Sequence, residues 1–564
     1  MSDAERDYCE QEEKLGPAGS QSHSPTIPID AGLRELSPSW ELPPGSKEVS
    51  WCELRPSASP MTPVSRNVLA NLVGKLSTGL LTLGLIPVYV KFMGVESYGL
   101  VGLFATFQTM LLVLDMGLSV TLNRELARIT GVPGIAGEAR DLVRTLEVPY
   151  WIATGVVLIA SWPLGSLIAT YWIRTEYLTF ESVRNAMVLM GLAVALQFPF
   201  GLYSGGLMGL QRQVLLNCIM VATAVLRGLG ATLVLWLIDP SIQAFVAWQL
   251  VVAALQTLVT RRLLWGSLPS AERTPHFRME LLVGKGHFAG GIVAITTTSI
   301  ILTQSDKIIL SKILTLQQFG YYAMASVAAG ALSGVVSPLY SAVFPRFSQL
   351  VAGGDLAMLK HLYHKSCQTM AVLILPPTVV MVIFSREIML LWTQDATAAM
   401  QTCRLASLLV VGTALNGLMH IPYALQLANG WTKLTLGVNV AAIFLLIPLL
   451  VVLSLRWGAL GAAWVWPILN AGYVLIALQL MHRRLLRGEL WRWYWADFAL
   501  PLVAVLGVSA LVRLLAPELG TLFKQVTVIA IAGLLSLLAA GLTSAYVRKM
   551  VLSLLSRGKV LEVS

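Results

Sequence analysis

The sequence has little charge for its length. Asp, Glu, Lys and Arg make up only 12% of its 564 residues, while 56% are hydrophobic and the mean hydropathy is +0.70. Soluble globular proteins carry about 25% charged residues, so this chain cannot cover a water-facing surface. The soluble enzyme classes are therefore excluded. We expect an all-α polytopic membrane protein with about 14 transmembrane helices of about 20 residues each.

Other signals are also scarce. The five cysteines have no spacing typical of metal or redox sites. No stretch resembles a nucleotide-binding loop, which argues against an ATP-driven pump. No acidic pair or histidine cluster lies in a long loop outside the membrane. A membrane-bound polysaccharide polymerase or ligase would show a large periplasmic loop with clustered Arg and His, which is absent. We predict no catalytic residues, no metal site, no cofactor and no nucleic acid partner, and we leave coupling to H⁺ or Na⁺ open.

The first 66 residues form a separate segment. They hold six basic and eleven acidic residues, a net charge of −5, which leaves +15 for the remainder. The segment is rich in Pro, Ser and Glu and has no apolar run, so residues 1–66 are predicted to be a disordered acidic tail. Met61 directly precedes the first apolar span, and translation from Met61 is an alternative that the sequence leaves open.

Long apolar runs recur from residue 67 onwards and predict fourteen spans. They are 67–90, 98–122, 147–171, 186–209, 214–238, 242–260, 287–310, 319–344, 366–385, 404–428, 434–455, 459–480, 498–516 and 523–546. With the N-terminus inside, inner loops and the C-terminal tail hold 22 Lys and Arg residues and outer loops hold nine. The positive-inside rule therefore places both termini in the cytoplasm. The last pair of spans is expected to be the most dispensable.

An internal repeat relates the two halves of the chain. Lys91 is followed eight residues later by the pair Tyr98-Gly99, and Lys312 is followed at the same distance by Phe319-Gly320. The offset of 221 residues contains six spans, and an even number of spans makes the two halves parallel. We therefore predict two six-helix lobes around a central cavity.

The predicted domains are the tail 1–66, lobes over 67–285 and 286–482, and two additional helices with a C-terminal tail over 483–564. Such a pair of lobes suits a transporter that works by alternating access.

Several short motifs carry a family resemblance. They are Gly94 to Leu100, Leu114 to Leu118, Asn123 to Arg128, Gly209 to Arg212 with Asn217, Gln304 to Lys307, Phe319 to Tyr322, Phe344 to Arg346 and Ala428 to Gly430. In this order, over about residues 65–480, the chain resembles the polysaccharide transporter (O-antigen and oligosaccharide-lipid flippase) family of the multidrug/oligosaccharidyl-lipid/polysaccharide superfamily.

The resemblance implies an undecaprenyl-diphosphate-linked oligosaccharide as substrate. It would move from the cytoplasmic to the periplasmic leaflet of the bacterial inner membrane during surface polysaccharide (O-antigen or exopolysaccharide) biosynthesis. A polysaccharide polymerase and glycosyltransferases are the implied partners, with the lipid bilayer itself. Two alternatives share the fold: a cation-coupled multidrug efflux antiporter, which would favour an acidic cavity, and a lipid II flippase.

Basic residues inside spans are candidate substrate-binding groups, because a charge in the bilayer centre is costly. Lys75, Arg227 and Lys307 lie within predicted spans, and Arg124 and Arg346 are repeat-equivalent at inner span ends. Lysine and arginine can bind a diphosphate. The alternatives are an internal ion pair for Arg227, snorkelling for Lys75 and pairing with Asp306 for Lys307. For Arg124 and Arg346 the alternative is ordinary positive-inside anchoring.

Acidic and neutral polar residues complete the predicted site. Asp115 could carry a coupling ion or could neutralise Arg124 or Lys75, and Asp306 has the same two options with Lys307 beside it. The cavity-lining candidates are Asn71, Thr78, Gln108 and Gln304. Such side chains suit sugar hydroxyls, and they equally suit hydrogen bonds between helices.

Overall fold

The computed structural model describes residues 63–129, 136–269, 274–280, 286–516, 520–546 and 548. Over 63–76, at 136 and over 286–292 it gives the helical backbone alone. The predicted tail up to residue 62, including Met61, lies outside the described residues. So do the side chains of two predicted site residues, Asn71 and Lys75.

Helices make up almost all of the described chain. In chain order they are α1 Pro63–Leu111, α2 Leu118–Ile129, α3 Ala136–Tyr171, α4 Phe180–Gln197, α5 Phe200–Gly209, α6 Gln213–Val225, α7 Ala231–Leu237, α8 Ile242–Ser267, α9 Gly286–Ile313, α10 Leu316–Gly330, α11 Ser333–Gly353, α12 Leu356–Ile383, α13 Ser385–Thr393, α14 Ala396–Ala428, α15 Thr432–Gly472, α16 Leu478–Leu485, α17 Leu490–Arg492, α18 Leu500–Leu515 and α19 Leu522–Thr543.

Eleven helical stretches in the described part of the chain are long and apolar enough to cross a membrane. Two of them contain a sharp kink at a glycine with positive φ, Gly94 (φ 81°) in α1 and Gly458 (φ 58°) in α15. Glycine adopts this conformation without the steric cost of a Cβ, so each stretch holds two spans. The more polar α9 supplies a further helix. The predicted polytopic all-α fold with about 14 spanning helices is confirmed.

Several predicted spans are not continuous helices, and among them 319–344 is divided between α10 and α11. The span 98–122 is wrong as one helix, because α1 is followed by a 3₁₀ turn over Leu112–Asp115 and by left-handed residues Met116 (φ 46°) and Gly117 (φ 73°). The span 186–209 is split between α4 and α5 at Pro199, which has no N–H to continue the helix hydrogen bonds. Hydropathy shows neither break, since both lie in apolar surroundings.

The helices pack as two groups followed by a C-terminal pair. In the first lobe α4 packs between α3 and α8, α2 packs on α5, and α1 packs on α6. In the second lobe α14 is central and contacts α10, α11, α12, α13 and α15, while α9 packs on α15. The last two helices, α18 and α19, pack on each other and on α12.

The two lobes meet tightly at the repeated aromatic-glycine motif. A methyl group built on Gly99 would lie 2.5 Å from the carbonyl oxygen of Leu316, and one built on Gly320 would overlap the carbonyl oxygen of Val95. Each glycine therefore lets the backbone of the other lobe approach. Because the two glycines are equivalent in the repeat, the contact is reciprocal across the pseudo-twofold axis.

This end of the bundle is tied together further. The buried carboxylate of Glu96 accepts the backbone N–H groups of residues 176–178 at 2.6–3.0 Å, and the N–H of Leu316 donates to the carbonyl of Arg174 at 2.8 Å. Among the described residues, every extensive contact between the lobes involves α1 or the 3₁₀ turn after it. The contacts of Gly99, Gly320 and Arg174 place one junction of the lobes, the joined end, at the end that the charge bias predicts to be periplasmic. The contacts of α9 with the 3₁₀ turn lie further along the bundle.

Candidate functional site

The second lobe contains a cavity between α9, α14 and α15. It encloses about 280 Å³. Its polar lining consists of Ser299, Thr303, Asn416, His420, Tyr423, Gln426, Thr435, Asn439 and Tyr473. No Asp, Glu, Lys or Arg of the described chain lines it. The cavity thus presents neutral donors and acceptors among apolar side chains.

A second cavity of about 360 Å³ adjoins the first between α11 and α14, and shares Asn416, His420 and Tyr423 with it. Tyr340 stacks on Tyr423 with ring centroids 6.3 Å apart and meets the His420 ring edge-on at 6.1 Å. The flat aromatic faces and hydroxyl groups can receive the C–H faces and hydroxyls of sugar rings. Together the two spaces form what we call the polar cavity.

Hydrogen bonds between helices hold this lining in place. Asn439 donates to Thr298 at 3.3 Å and to Ser299 at 3.2 Å, and it accepts from the hydroxyl of Tyr473 at 2.9 Å. The amide of Asn416 donates to the side-chain oxygen of Asn470 at 2.9 Å. Neither Asn439 nor Tyr473 was singled out from the sequence. A polar residue in an apolar span was the available signal.

Arg227 lies in a π-helical turn, Leu226–Gly230, between α6 and α7. Its Nη2 donates to Oε1 of Gln256 at 3.1 Å, and its carbonyl accepts from Gln249 at 3.2 Å. Among the described residues no carboxylate lies within ion-pair distance, so the alternative of an internal ion pair is not supported there. Single π turns in helices are frequent at functional sites. The phosphate-binding role of Arg227 stays a prediction.

Lys307 is neutralised locally. Its Nζ lies 3.6 Å from Oδ1 of Asp306 and donates to the carbonyl of Thr303 at 3.1 Å. The other carboxylate oxygen of Asp306 accepts from the hydroxyl of Tyr322 at 2.5 Å. This geometry is the pairing that the sequence offered as the alternative to substrate binding.

The two repeat-equivalent arginines differ in their surroundings. Arg124 lies 3.2 Å from the buried carboxylate of Glu125, which Arg128 approaches at 3.1 Å. Arg346 is exposed and donates to Oε1 of Gln349 at 3.0 Å. The partner that the structure shows for Arg124 is the neighbouring Glu125, and the pairing of Arg124 with Asp115 stays a prediction.

Asp115 bonds to hydroxyl groups instead. Ser119 donates to its Oδ2 at 2.8 Å, and the hydroxyl of Tyr150 donates to Oδ1. No cation of the described side chains lies within ion-pair distance of Asp115. Pairing with Lys75 lies outside the described side chains.

The remaining polar candidates make contacts within a helix or between neighbouring helices. Gln108 donates to Oε1 of Gln197 at 2.7 Å, a bond between helices. Gln304 makes a long contact of 3.5 Å to Thr303, and the carbonyl of Thr78 accepts from Thr82 at 2.9 Å. Of the predicted cations, the four whose side chains the structure describes, Arg124, Arg227, Lys307 and Arg346, do not line the polar cavity.

A buried ionic cluster joins the C-terminal helices to α12. His364 is fully buried and contacts Asp497 through Nδ1 at 2.5 Å and Glu489 through Nε2 at 3.2 Å. Asp497 also accepts from Gln368 at 2.9 Å, and Lys360 lies 3.0 Å from Glu489. Burial opposes ionisation of Glu489, but the bonds and charges of Lys360 and His364 outweigh it and lower the pKa of this carboxyl. The last helices are thus anchored by charge, which the sequence did not indicate.

Comparisons with known proteins identify the fold and the family. A family model described as "Polysaccharide biosynthesis protein" matches residues 64–351, more than half of the chain. The chain belongs to this polysaccharide biosynthesis family. A putative O-antigen transporter of Shigella flexneri is 24% identical over 181 residues. That match covers 32% of this chain and 42% of the relative, so the chain spans less than half the length of the relative it matches.

Solved structures share the architecture of this family member. The lipid II flippase MurJ in an inward closed conformation superposes with a TM-score of 0.64 at 13% identity, covering 86% of this chain and 99% of that one. An inward-facing multidrug resistance transporter of the MATE family gives 0.57 at 14% identity, covering 74% and 96%. At these identities the likeness establishes the fold. The predicted membership of the polysaccharide transporter family is confirmed.

Proposed function

We propose that this protein is a flippase for a polyprenyl-diphosphate-linked oligosaccharide in the bacterial inner membrane, with both termini in the cytoplasm. The observation that carries the proposal is the polar cavity of the second lobe, which is lined by hydroxyl, amide and aromatic groups and by no charged side chain of the described residues. This lining suits sugars. Alternating access follows when the lobes separate at the joined end and close at the other.

The charge distribution favours this substrate over a cationic drug. A site for cationic drugs needs acidic groups, and the polar cavity is lined by no Asp or Glu among the described residues. Arg227 in the other lobe has a guanidinium without a described carboxylate partner and suits the diphosphate. The polyprenyl chain would stay in the lipid. Membership of the polysaccharide biosynthesis family supports the same substrate class.

A lipid II flippase is the second candidate. The MurJ structure covers more of this chain than the MATE structure described above, 86% against 74%. Lipid II is also a polyprenyl diphosphate with attached sugars, so Arg227 and the polar cavity would suit it equally. The two candidate functions are distinguished by measuring the transport of defined substrates.

The test is transport in proteoliposomes containing the purified full-length protein. The substrates are a fluorescent polyprenyl-diphosphate oligosaccharide, lipid II and a fluorescent cationic drug. We expect the oligosaccharide lipid to be translocated and Arg227→Ala to slow it about tenfold or more, since one charged hydrogen bond contributes about 1.5–3 kcal/mol. The exposed Arg456 provides the matched control, Arg456→Ala. Translocation of the drug alone would refute the proposal, and preference for lipid II would favour the second candidate.

Coupling to H⁺ or Na⁺ is part of the proposal. Asp115 lies in the membrane, between Ser119 and Tyr150, with no described cationic partner. We expect Asp115→Asn to remove the dependence of transport on an ion gradient while exchange down a substrate gradient continues. The same gradient dependence in wild type and variant would exclude Asp115 as the coupling group.

A further inference from the structure

A basic pocket opens at the other end of the first lobe, far along the helices from the joined end. It has a volume of about 450 Å³ and is lined by Arg144 of α3, by Arg261, Arg262 and Trp265 of α8, and by Pro275. We propose that this pocket binds the phosphate of a lipid headgroup. The identification of that lipid with the transported substrate rests on the proposed function, whereas binding of phosphate does not.

A buried carboxylate fixes two of the arginines. Glu147 is 1% exposed and lies 3.3 Å from Nη1 of Arg144 and 2.5 Å from Nε of Arg261. The hydroxyl of Tyr203 donates to the same carboxylate at 2.6 Å. A guanidinium has five N–H donors, so most donors of the two arginines remain for a ligand. Both side chains stay partly exposed, at 49% and 38%.

Two buried donors next to the lining residues have no acceptor. Nε of Arg140 and Nε1 of Trp265 are buried and have no hydrogen-bond partner among the described residues. The guanidinium of Arg140 lies over the Trp265 ring, 5.9 Å from its centroid. Arg262 is exposed and makes no ion pair within the described part of the chain. Buried N–H groups are costly when unpaired. The accessible donors that an acceptor-rich anion would satisfy are those of Arg144, Arg261 and Arg262, which line the pocket.

Charge at this pocket is unbalanced. Three arginines line the pocket, and two of them contact one carboxylate, that of Glu147. The other nearby acid, Asp141, is 1% exposed and accepts the backbone N–H of His276 at 2.9 Å. In the second lobe the corresponding basic groups on α12 are covered by the acids of the ionic cluster, which come from the chain beyond α16. The first lobe has no such acidic cover among the described residues.

Position and chemistry select a phosphate headgroup. The pocket lies where spanning helices end, at the level of lipid headgroups, where tryptophan is also enriched. Arginine forks match phosphate oxygens in pairs. Positive-inside anchoring explains arginines at this end, but it does not explain why two of them are fixed on one buried carboxylate beside a tryptophan. The phosphate can come from the transported lipid diphosphate or from a bilayer phospholipid.

The experiment measures equilibrium binding to the purified full-length protein in a neutral detergent. The probes are a short-chain polyprenyl diphosphate, dioctanoyl phosphatidylglycerol, inorganic phosphate and the phosphate-free dioctanoylglycerol. The variants are Arg262→Gln and Trp265→Phe. Neither removes a described partner of Glu147, so both are expected to fold, as thermal unfolding will check. The matched control is Arg483→Gln, an exposed arginine at the corresponding end of the second lobe.

We expect Arg262→Gln to raise the Kd of phosphate-bearing lipids about tenfold, and Trp265→Phe to raise it less, with Arg483→Gln unchanged. An effect on the polyprenyl diphosphate alone assigns the pocket to the substrate, an effect on both lipids assigns it to phospholipid headgroups, and an effect on inorganic phosphate as well assigns it to phosphate in general. Unchanged Kd values in both pocket variants, or an equal change in Arg483→Gln, would overturn the proposal.

Failure of this pocket is distinguishable from failure of the flippase proposal. Weaker phospholipid binding in Arg262→Gln together with no oligosaccharide-lipid transport by wild type would keep the pocket and reject the flippase. Transport that depends on Arg227, together with unchanged binding in both pocket variants, would keep the flippase and reject the pocket.

Discussion

The glycine contact between the lobes makes a sharp prediction about the transport cycle. In the structure a methyl group on Gly320 would overlap the carbonyl oxygen of Val95, and one on Gly99 would lie 2.5 Å from that of Leu316. Ordinary carbon contacts begin near 3.4 Å, so the backbones must separate by about 1 Å. Overpacking of this kind costs about 1–3 kcal/mol. The cost arises only in states where the lobes touch at this end.

We therefore expect Gly320→Ala to shift the equilibrium away from the conformation described here by about 5- to 150-fold. Transport should slow, because one half of the cycle becomes less populated. The fold itself should persist, since alanine favours helix over glycine by about 1 kcal/mol.

The assay is the distance between spin labels at the joined end, on exposed positions Lys91 and Gln318, measured in a chain freed of native cysteines. Gly320→Ala should broaden the distribution and move it to longer distances. Gly507→Ala is the matched control, because a Cβ there meets nothing within 4 Å. An unchanged distribution in Gly320→Ala, or the same change in both variants, would refute the reasoning.

Two further predictions concern stability and specificity. Asp497→Asn removes a charge from the buried pair with His364, and loss of one partner of such a pair costs about 3–5 kcal/mol. The thermal unfolding temperature should therefore fall clearly, whereas Glu280→Gln, in an exposed pair with Arg278, should leave it unchanged. Equal shifts in the two variants would show that the buried pair does not stabilise the fold more than the exposed one. Asn439→Leu breaks the bonds to Ser299 and Tyr473 in the polar cavity, so it should reduce oligosaccharide-lipid transport several-fold while leaving protein yield intact; normal transport would exclude the cavity as the sugar site.

Hydropathy and the repeat predicted the number and order of spanning helices, because a helix in lipid has to satisfy every backbone group internally and needs a long apolar run. The breaks at Met116 and Pro199 were not predicted. A left-handed turn inside an apolar stretch changes neither hydropathy nor length. The same limit applies to the repeat, which marked Gly99 and Gly320 as equivalent without showing that they touch.

The side-chain partners were harder to predict than the helices. Arg124 pairs with Glu125 beside it, although adjacent residues on a straight helix do not usually face each other. His364 and Asp497 are 133 residues apart, so only the packing of the C-terminal helices on α12 brings them together. The expected dispensability of those helices stays a prediction, but their removal would leave His364 without its buried partner.

The candidate site divides between the lobes in a way that a single central cavity would not require. Sugar-compatible groups lie in the second lobe, around Asn439 and Tyr340. Arg227, whose guanidinium has no carboxylate within ion-pair distance among the described residues, lies in the first. If the diphosphate binds one lobe and the sugars the other, substitutions in the polar cavity should change preference among oligosaccharides. Loss of Arg227 should weaken the binding of every polyprenyl diphosphate to the same extent, because all of them carry the same phosphates. Comparing two substrates that differ only in their sugars tests this division directly, since a shared central site would make both kinds of variant act on both properties.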